Sequence, residues 1–200
     1  MLTFNKNKPL SICVYCAARV SDNSAYAEVA AQVGQWLGKN NIRLVYGGGN
    51  TGLMGAIANA ALESGTEVYG IIPARLMEVE MGHTGITELR VVKNMHERKQ
   101  AMAEASDAFL TLPGGIGTFE EFFEAWTWRQ LSYHANPIGL LNTNGYYDKL
   151  LEFTKSCVTA GYMSQSQLDM LTIETEVEPM MQRLYKQMII PKEETSFKGI

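Results

Sequence analysis

The chain has 200 residues, of which 46% are hydrophobic and 19% charged, a composition typical of one folded globular domain. The formal net charge is −4 and no run of basic residues occurs. Nucleic acid is therefore not expected as a partner, because binding a phosphate backbone requires clustered lysine and arginine. No apolar stretch has the length of a signal peptide or a membrane span. We expect a single domain over residues 1–200, a cytoplasmic location without membrane contact, and a loose polar tail over residues 191–200.

Short apolar runs rich in β-branched residues alternate with longer helical segments along the chain. The predicted strands cover residues 10–15, 42–46, 67–72, 88–92, 108–112, 138–141 and 171–173. The predicted helices cover residues 24–39, 53–64, 96–105, 119–133, 145–160 and 177–187. Strands separated by helices pair in parallel. The order therefore predicts an α/β fold, a Rossmann-like doubly wound parallel sheet of about seven strands with helices on both faces.

Two glycine clusters follow predicted strands at points where a helix begins. In doubly wound sheets this carboxyl edge is where ligands bind, so we expect both turns to contribute to one site. The first cluster consists of Gly47, Gly48, Gly49 and Gly52, and the second of Gly114, Gly115 and Gly117.

The first turn, Gly47-Gly48-Gly49-Asn50-Thr51-Gly52, matches the G-x-G-x-x-G pattern of dinucleotide sites. Such sites also place an acidic residue at the end of the next strand, to bind the ribose hydroxyls. Here that strand ends in Gly70-Ile71-Ile72-Pro73, without an acid, which weakens the hypothesis of a nicotinamide oxidoreductase. A mononucleotide site with Gly48 and Gly49 against the ligand is favoured, and a turn that needs glycine only for packing is the alternative.

The second turn lies in Pro113-Gly114-Gly115-Ile116-Gly117-Thr118-Phe119-Glu120-Glu121. Glycine lets backbone N–H groups turn toward a ligand, and Thr118 is predicted to cap a helix whose N-terminus favours an anion such as phosphate. Glu121, crowded by Glu120 and Glu124, is a candidate catalytic carboxylate. It also stands three residues after Thr118, so a capping box is the structural alternative.

Arg98 and Lys99 begin the helix after the fourth strand, where cations oppose the helix dipole. A solvated surface pair is the usual explanation, but their place at the ligand edge favours anion recognition. Because Arg98 is expected on an exposed turn, its replacement by alanine is expected to remove activity without unfolding the chain.

The predicted fourth helix is rich in aromatic residues, with Phe119, Phe122, Phe123 and Trp126 on one side. One core face does not require so many aromatic side chains. Part of this aromatic surface is therefore predicted to form a subunit interface, and the protein is predicted to be a homodimer. No histidine pair has metal-ligand spacing, so no metal is expected.

Cys13 and Cys16 form a C-x-x-C, a spacing that also occurs in redox and zinc sites. On a strand, residues three apart point to opposite faces. The pattern therefore favours two packed thiols.

At these residues the chain resembles the Lonely Guy (LOG) family, the cytokinin riboside 5′-monophosphate phosphoribohydrolases. Its signature P-G-G-x-G-T-x-x-E is matched without gaps by residues 113–121, and the first glycine turn and the Met95-His96 that precedes Arg98-Lys99 are also similar. The resemblance runs from about residue 12 to residue 173. Many members carry the older label lysine decarboxylase, but no lysine here has a pyridoxal phosphate context.

The resemblance implies hydrolysis of a nucleoside 5′-monophosphate to a free base and ribose 5-phosphate, without a cofactor, in a protein that is commonly dimeric. A non-catalytic nucleotide-binding or carrier protein on the same fold is the alternative. The family's first loop often reads Gly-Ser-Ser where this chain has Ala17-Ala18-Arg19, so Arg19 is a candidate replacement for a hydroxyl contact. The implied catalytic pair is Arg98 and Glu121, and the implied nucleotide contacts are Glu80, Arg98, Lys99, Gly114, Gly115, Ile116, Gly117, Thr118, Phe119, Glu120 and Thr127.

Overall fold

The computed structural model of the protein describes residues 9–79 and 81–190, so Glu80 and the predicted tail over residues 191–200 lie outside the described residues. The strands are β1 (Ser11–Tyr15), β2 (Arg43–Tyr46), β3 (Val68–Pro73), β4 (Glu88–Val92), β5 (Ala108–Thr111), β6 (Ile138–Leu141) and β7 (Leu171–Glu174). The α-helices are α1 (Ser24–Lys39), α2 (Gly52–Glu63), α3 (Met95–Glu104), α4 (Ile116–Gln130), α5 (Asp148–Thr159), α6 (Gln165–Leu168) and α7 (Val177–Ile189).

The seven strands form one sheet in the order β4-β3-β2-β1-β5-β6-β7. Every neighbouring pair is parallel. From β1 the chain builds outward to β4 on one side and from β5 to β7 on the other, so the order reverses between β1 and β5. This confirms the predicted doubly wound α/β fold and locates its switch point.

Helices cover both faces of the sheet. Helices α1, α2 and α7 bury one face together with Ile12 and Val14 of β1. Helices α3, α4 and α6 bury the other face with Cys13 and Tyr15. Because both faces are covered, residues 12–15 of β1 are all apolar or aromatic on either face and form a continuous hydrophobic run.

The two thiols of the C-x-x-C lie in different layers, as predicted. Cys13 packs under α3 and α4, whereas Cys16 packs under α1 and α2. Both are free and buried, which agrees with two packed thiols.

Helix α4 begins at Ile116, three residues before the predicted start, with Gly115 as its N-cap residue. Thr118 therefore lies inside the first turn. The prediction that Thr118 caps the helix is wrong, and so is the Thr118–Glu121 capping box, because an N-cap residue must precede the helix. Glu121 is thereby left without that structural explanation.

The same helix ends at Gln130, before the predicted residue 133. Ser132 has the left-handed φ of 62°. The N–H groups of Ser132 and Tyr133 donate to the carbonyls of Arg129 and Trp128, at 3.1 and 2.9 Å. These bonds form a Schellman motif that stops the helix.

The short helix α6, closed by a capping box on Ser164, was not predicted. Within the described part of the chain, no helix is both long and apolar enough to span a bilayer.

Candidate active site

A cavity of about 510 Å³ opens at the carboxyl edge of the sheet, beside the switch point between β1 and β5. This volume suits a small-molecule ligand. Loops after β1, β2, β3 and β5 and the first turns of α2, α3 and α4 form its walls. The described lining residues are Val14, Cys16, Ala17, Ala18, Arg19, Gly47, Met54, Leu76, Met95, Arg98, Gly115, Ile116, Gly117, Thr118, Glu120 and Glu121.

The turn before α4 is held by hydrogen bonds to its carbonyl groups. Four consecutive carbonyls, those of residues 112–115, each accept one bond, and two of the donors are tyrosine hydroxyls from the loop after β6. The pairs are Tyr147 Oη to Leu112 O (2.7 Å), Ala17 N to Pro113 O (3.2 Å), Tyr146 Oη to Gly114 O (2.7 Å) and Phe119 N to Gly115 O (3.0 Å). The turn is therefore fixed before any ligand arrives.

The N-terminus of α4 forms part of the cavity wall through Gly115, Ile116, Gly117 and Thr118. The first N–H groups of a helix have no intrahelical acceptor, and Gly115 has no side chain to cap them. An uncapped helix N-terminus on a cavity favours an anion, through both its N–H groups and the helix dipole.

Two glycines of this turn are explained neither by packing nor by backbone conformation. A Cβ atom added at Gly115 or Gly117 would meet nothing within 4 Å, and neither residue has a positive φ. By contrast, a Cβ at Gly114 would lie 2.1 Å from Thr118 Oγ1. Gly114 is thus required by packing, whereas Gly115 and Gly117 keep open the space in front of the helix N-terminus.

The glycine turn after β2 has a different arrangement. The N–H groups of Leu53 and Met54, at the start of α2, donate to Ala17 O at 2.9 and 3.3 Å. The first turn of α2 is therefore occupied by the loop after β1. Of the two helix N-termini that follow the glycine turns, α4 supplies the uncapped one.

Gly48 and Gly49, the predicted ligand contacts of that turn, pair instead with the segment after β3. Gly48 O accepts a hydrogen bond from His83 N at 2.8 Å, and Gly49 forms a β-bridge with Gly82. Neither glycine belongs to the described cavity wall, which Gly47 joins instead.

Arg98 is buried, with 4% of its surface exposed, and it lines the cavity. Its Nη2 donates to Gly47 O at 3.0 Å, and a Cβ at Gly47 would lie 2.1 Å from the same nitrogen. The expectation of an exposed Arg98 is wrong, because the guanidinium folds back over a glycine that leaves room for it.

Lys99 points toward α4. Its Nζ donates to Glu120 Oε1 at 2.5 Å and to Glu124 Oε1 at 2.9 Å. Burial lowers the pKa of Lys99, but these hydrogen bonds raise it by more, so the net shift is upward. Lys99 is therefore a charged link between α3, which carries Arg98, and α4, which carries Glu121.

Glu121 is half-buried in the cavity wall, just beyond the first turn of α4. Burial, and after it the nearby charge of Glu121, raises the pKa of the Cys13 and Cys16 thiols. The carboxylate therefore lies close to the end of β1, at the switch point.

The remaining predicted contacts lie outside the described wall. Phe119 packs its ring edge-on to Tyr147, and Thr127 is exposed, with its hydroxyl donating to Phe123 O at 2.7 Å. Sequence reasoning missed Cys16, Met54, Leu76 and Met95 in the wall and the two supporting tyrosines. Only the Gly145-Tyr146-Tyr147 segment offered a signal, because it follows β6 at the carboxyl edge of the sheet.

Charged groups of both signs line the cavity, with Arg19 and Arg98 against Glu120 and Glu121. Among residues 9–79 and 81–190, no group of three His, Cys, Asp or Glu side chains is placed to hold a metal ion. The described wall also contains no lysine, the residue that binds pyridoxal phosphate as a Schiff base. The site combines an uncapped helix N-terminus with a carboxylate and a buried arginine.

Fold and site define an α/β protein with a small-molecule-sized cavity at the switch point of its sheet. Residues 54–184 match the family described as "Possible lysine decarboxylase". The chain is 41% identical over 182 residues to the cytokinin riboside 5′-monophosphate phosphoribohydrolase LOG3 of Arabidopsis thaliana, covering 91% of this chain and 85% of LOG3. It is 43% identical to the enzyme of the same name from Rhodococcoides fascians, over 85% of this chain and 86% of that protein. The chain belongs to the LOG family of phosphoribohydrolases, which are enzymes.

Solved structures with a similar fold include two molybdenum cofactor proteins. The carrier protein of Chlamydomonas reinhardtii has a TM-score of 0.67 and 18% identity, covering 92% of this chain and 100% of the carrier. The binding protein of Rippkaea orientalis has a TM-score of 0.68 and 18% identity, covering 90% of this chain and 98% of that protein. At this level of identity the likeness concerns the fold alone.

Proposed function

We propose that this protein hydrolyses the N-glycosidic bond of a nucleoside 5′-monophosphate, AMP or a cytokinin riboside 5′-monophosphate, to a free base and ribose 5-phosphate. One observation carries the proposal: the uncapped N-terminus of α4, Glu121 and the buried Arg98 line the same cavity. The names of the relatives support the same reaction. The cytoplasmic location expected from the sequence is part of the proposal.

The glycine turn before α4 would hold the 5′-phosphate. Its N–H groups form a prearranged anion site, and the carbonyls of residues 112–115 are already bonded elsewhere. Binding the phosphate far from the reacting bond uses its binding energy to position the sugar.

Glu121 would act on the sugar. Breaking the bond from C1′ to the base leaves an oxocarbenium-like sugar, and a carboxylate near C1′ stabilises that charge. Water then forms the new C1′–O bond and passes one proton to Glu121, while the leaving base takes up a proton from solvent; Glu121 afterwards returns its proton to solvent, which regenerates the carboxylate. Arg98, fixed by Gly47 O, would orient the ribose or phosphate and assist departure of the base.

A non-catalytic nucleotide-binding or carrier protein is the second candidate, since carriers occur on this fold. A carrier requires the anion-binding turn but has no chemical need for a half-buried carboxylate and a buried arginine in the same wall. It would bind AMP and release it unchanged.

We predict that the 5′-monophosphate is required for turnover. AMP is expected to yield adenine and ribose 5-phosphate. Adenosine and ATP are expected to react far more slowly, because adenosine lacks the phosphate that the turn binds and ATP carries two phosphates more than the cavity is proposed to hold. Chromatography of the free base released from each nucleotide measures this. Equal turnover of adenosine would contradict a productive phosphate site, and binding of AMP without any adenine would favour the carrier.

A matched variant tests the turn itself. Gly117→Ala places a methyl group in the open space before the α4 N-terminus, so AMP turnover is expected to fall toward the adenosine rate. Alanine in a helix is favoured over glycine by about 1 kcal/mol, so the melting temperature should hold or rise. A variant that is both stable and fully active would contradict the proposed phosphate position.

We also infer a homodimer, on a narrower surface than the sequence indicated. Phe122 and Trp126 are buried in the core at 1% and 4% exposure, and do not form a surface. The exposed α4 stripe instead consists of Ile116 and Phe123 on the helix and Leu131 directly after it, at 88%, 37% and 57% exposure. Its N-terminal end borders the cavity, so a partner bound there would lie beside the site.

Light scattering at micromolar concentration is expected to give twice the 22.2 kDa chain mass. Phe123→Glu is expected to shift the protein toward monomer, because a charge at the centre of an apolar interface costs several kcal/mol when unpaired. A monomer mass for the unmodified protein would contradict the dimer, and a Phe123→Glu dimer would exclude the α4 stripe.

A further inference from the structure

Arg19 is a second cation in the cavity wall, and the mechanism above does not use it. The residue lies in the loop after β1 and is exposed. Within the described ranges, no hydrogen bond or ion pair engages its guanidinium group. An exposed arginine that borders a cavity without a protein partner can bind a ligand at little cost, because no existing bond is broken.

The backbone around Arg19 is fixed. Thr51 Oγ1 donates to Ala18 O at 2.7 Å, and Gly52 approaches so closely that a Cβ there would lie 2.5 Å from Arg19 O. Gly52 has a φ of +58°, a conformation that glycine adopts without strain. The loop is thus packed on the start of α2, and only the Arg19 side chain is left to move.

The loop that carries Arg19 faces the proposed phosphate site. Strands β1 and β5 are neighbours in the sheet, with Tyr15 paired to Thr111. Beyond the strands, Ala17 N donates to Pro113 O at 3.2 Å and joins the loop to the glycine turn. Arg19, two residues further on, therefore lines the cavity across from the N-terminus of α4.

We propose that Arg19 binds the 5′-phosphate of the nucleotide and sets the preference of the site for phosphorylated over neutral ligands. This inference rests on the proposed function for the identity of the ligand. A guanidinium group offers a planar pair of donors that matches two phosphate oxygens. The phosphate would then be held between Arg19 on one side and the α4 N–H groups on the other, while Arg98 remains anchored to Gly47 O.

Calorimetric titration with ribose 5-phosphate, a ligand with no N-glycosidic bond to break, tests the proposal. Arg19→Gln removes the charge and keeps much of the side-chain length, and is expected to weaken ribose 5-phosphate binding about tenfold, the loss of one charge-assisted contact. Arg19→Lys is expected to restore part of the affinity. Arg75→Gln is the matched control, because this substitution changes the net charge by the same amount. Arg75 is an exposed arginine after β3, next to the wall residue Leu76 but outside the described wall.

Three outcomes would overturn the role of Arg19. These are unchanged ribose 5-phosphate binding in Arg19→Gln, an equal loss in Arg75→Gln, and an equal loss of adenosine binding in Arg19→Gln. Failure of the unmodified protein to bind ribose 5-phosphate would also count against it. A protein that releases no free base from AMP or from a cytokinin riboside 5′-monophosphate, yet shows the Arg19-dependent difference, would refute the proposed reaction and retain the phosphate contact.

Discussion

Glu121→Gln is expected to lower kcat for AMP by about 100- to 1,000-fold while AMP affinity changes little. The amide keeps the volume of the side chain but removes the negative charge that would stabilise the oxocarbenium-like sugar. An interaction made only in the transition state affects kcat and leaves ground-state binding intact. The melting temperature is expected to stay nearly constant, because Glu121 lies beyond the helix cap in a half-buried position.

Glu124→Gln is the matched control for this experiment. Glu124 lies on the same helix and bonds to Lys99, but it is not among the described residues of the cavity wall. Its replacement removes the same charge from α4 and is expected to leave most of the activity. Wild-type turnover in Glu121→Gln would show that another group is the catalytic carboxylate, and Glu120, which also lines the cavity, would then be the candidate.

Arg98→Ala is expected to abolish turnover and also to destabilise the protein. The sequence alone indicated an exposed turn and hence a stability change of about 0.5 kcal/mol. In the structure Arg98 is 4% exposed and donates to Gly47 O, so its removal leaves a buried acceptor unpaired, at a cost of about 1–3 kcal/mol. For a chain of this size, each kcal/mol lowers the melting temperature by about 2–4 °C.

Arg98→Lys separates the two effects. Lysine keeps the positive charge and can still donate to Gly47 O, but it lacks the planar fork of a guanidinium group. Turnover is expected to remain about 100-fold below that of the wild type, while the melting temperature recovers toward the wild-type value. Turnover of AMP and thermal melting measured on both variants decide the matter. Full turnover in Arg98→Lys would mean that only the charge matters, and full turnover in Arg98→Ala would remove Arg98 from the mechanism.

The sequence was a good guide to the fold because its signals are local. Alternating apolar strands and helical segments predicted a parallel doubly wound sheet, and the seven-stranded order confirms it. Element ends were predicted less well where a single backbone conformation decides them. The end of α4 depends on the left-handed Ser132, and its start depends on Gly115 as N-cap, and neither residue type fixes such a conformation by itself.

The sequence predicted where the candidate site lies in the fold, but not which side chains contact one another there. The sequence placed two glycine turns and the Arg98-Lys99 pair at the carboxyl edge of the sheet. It could not show that Arg98 turns to Gly47, 51 positions away, while its neighbour Lys99 turns to Glu120 and Glu124 on α4. These partners are distant in the chain, so no local pattern encodes them.

By itself, then, the sequence determined the class of fold, the sheet edge that carries both glycine turns and the residue types available there, because periodicity and glycine content act over a few neighbouring residues. Only the tertiary structure decided which of the two helix N-termini stays uncapped. At the start of α2, N–H groups donate to Ala17 O. At the second turn, four carbonyls already accept hydrogen bonds from other groups, and Gly115 has no side chain that could cap the N–H groups of α4. The difference has a physical cause: a backbone donor is satisfied by whichever acceptor the folded chain brings within about 3 Å, and that acceptor is chosen by packing between distant elements.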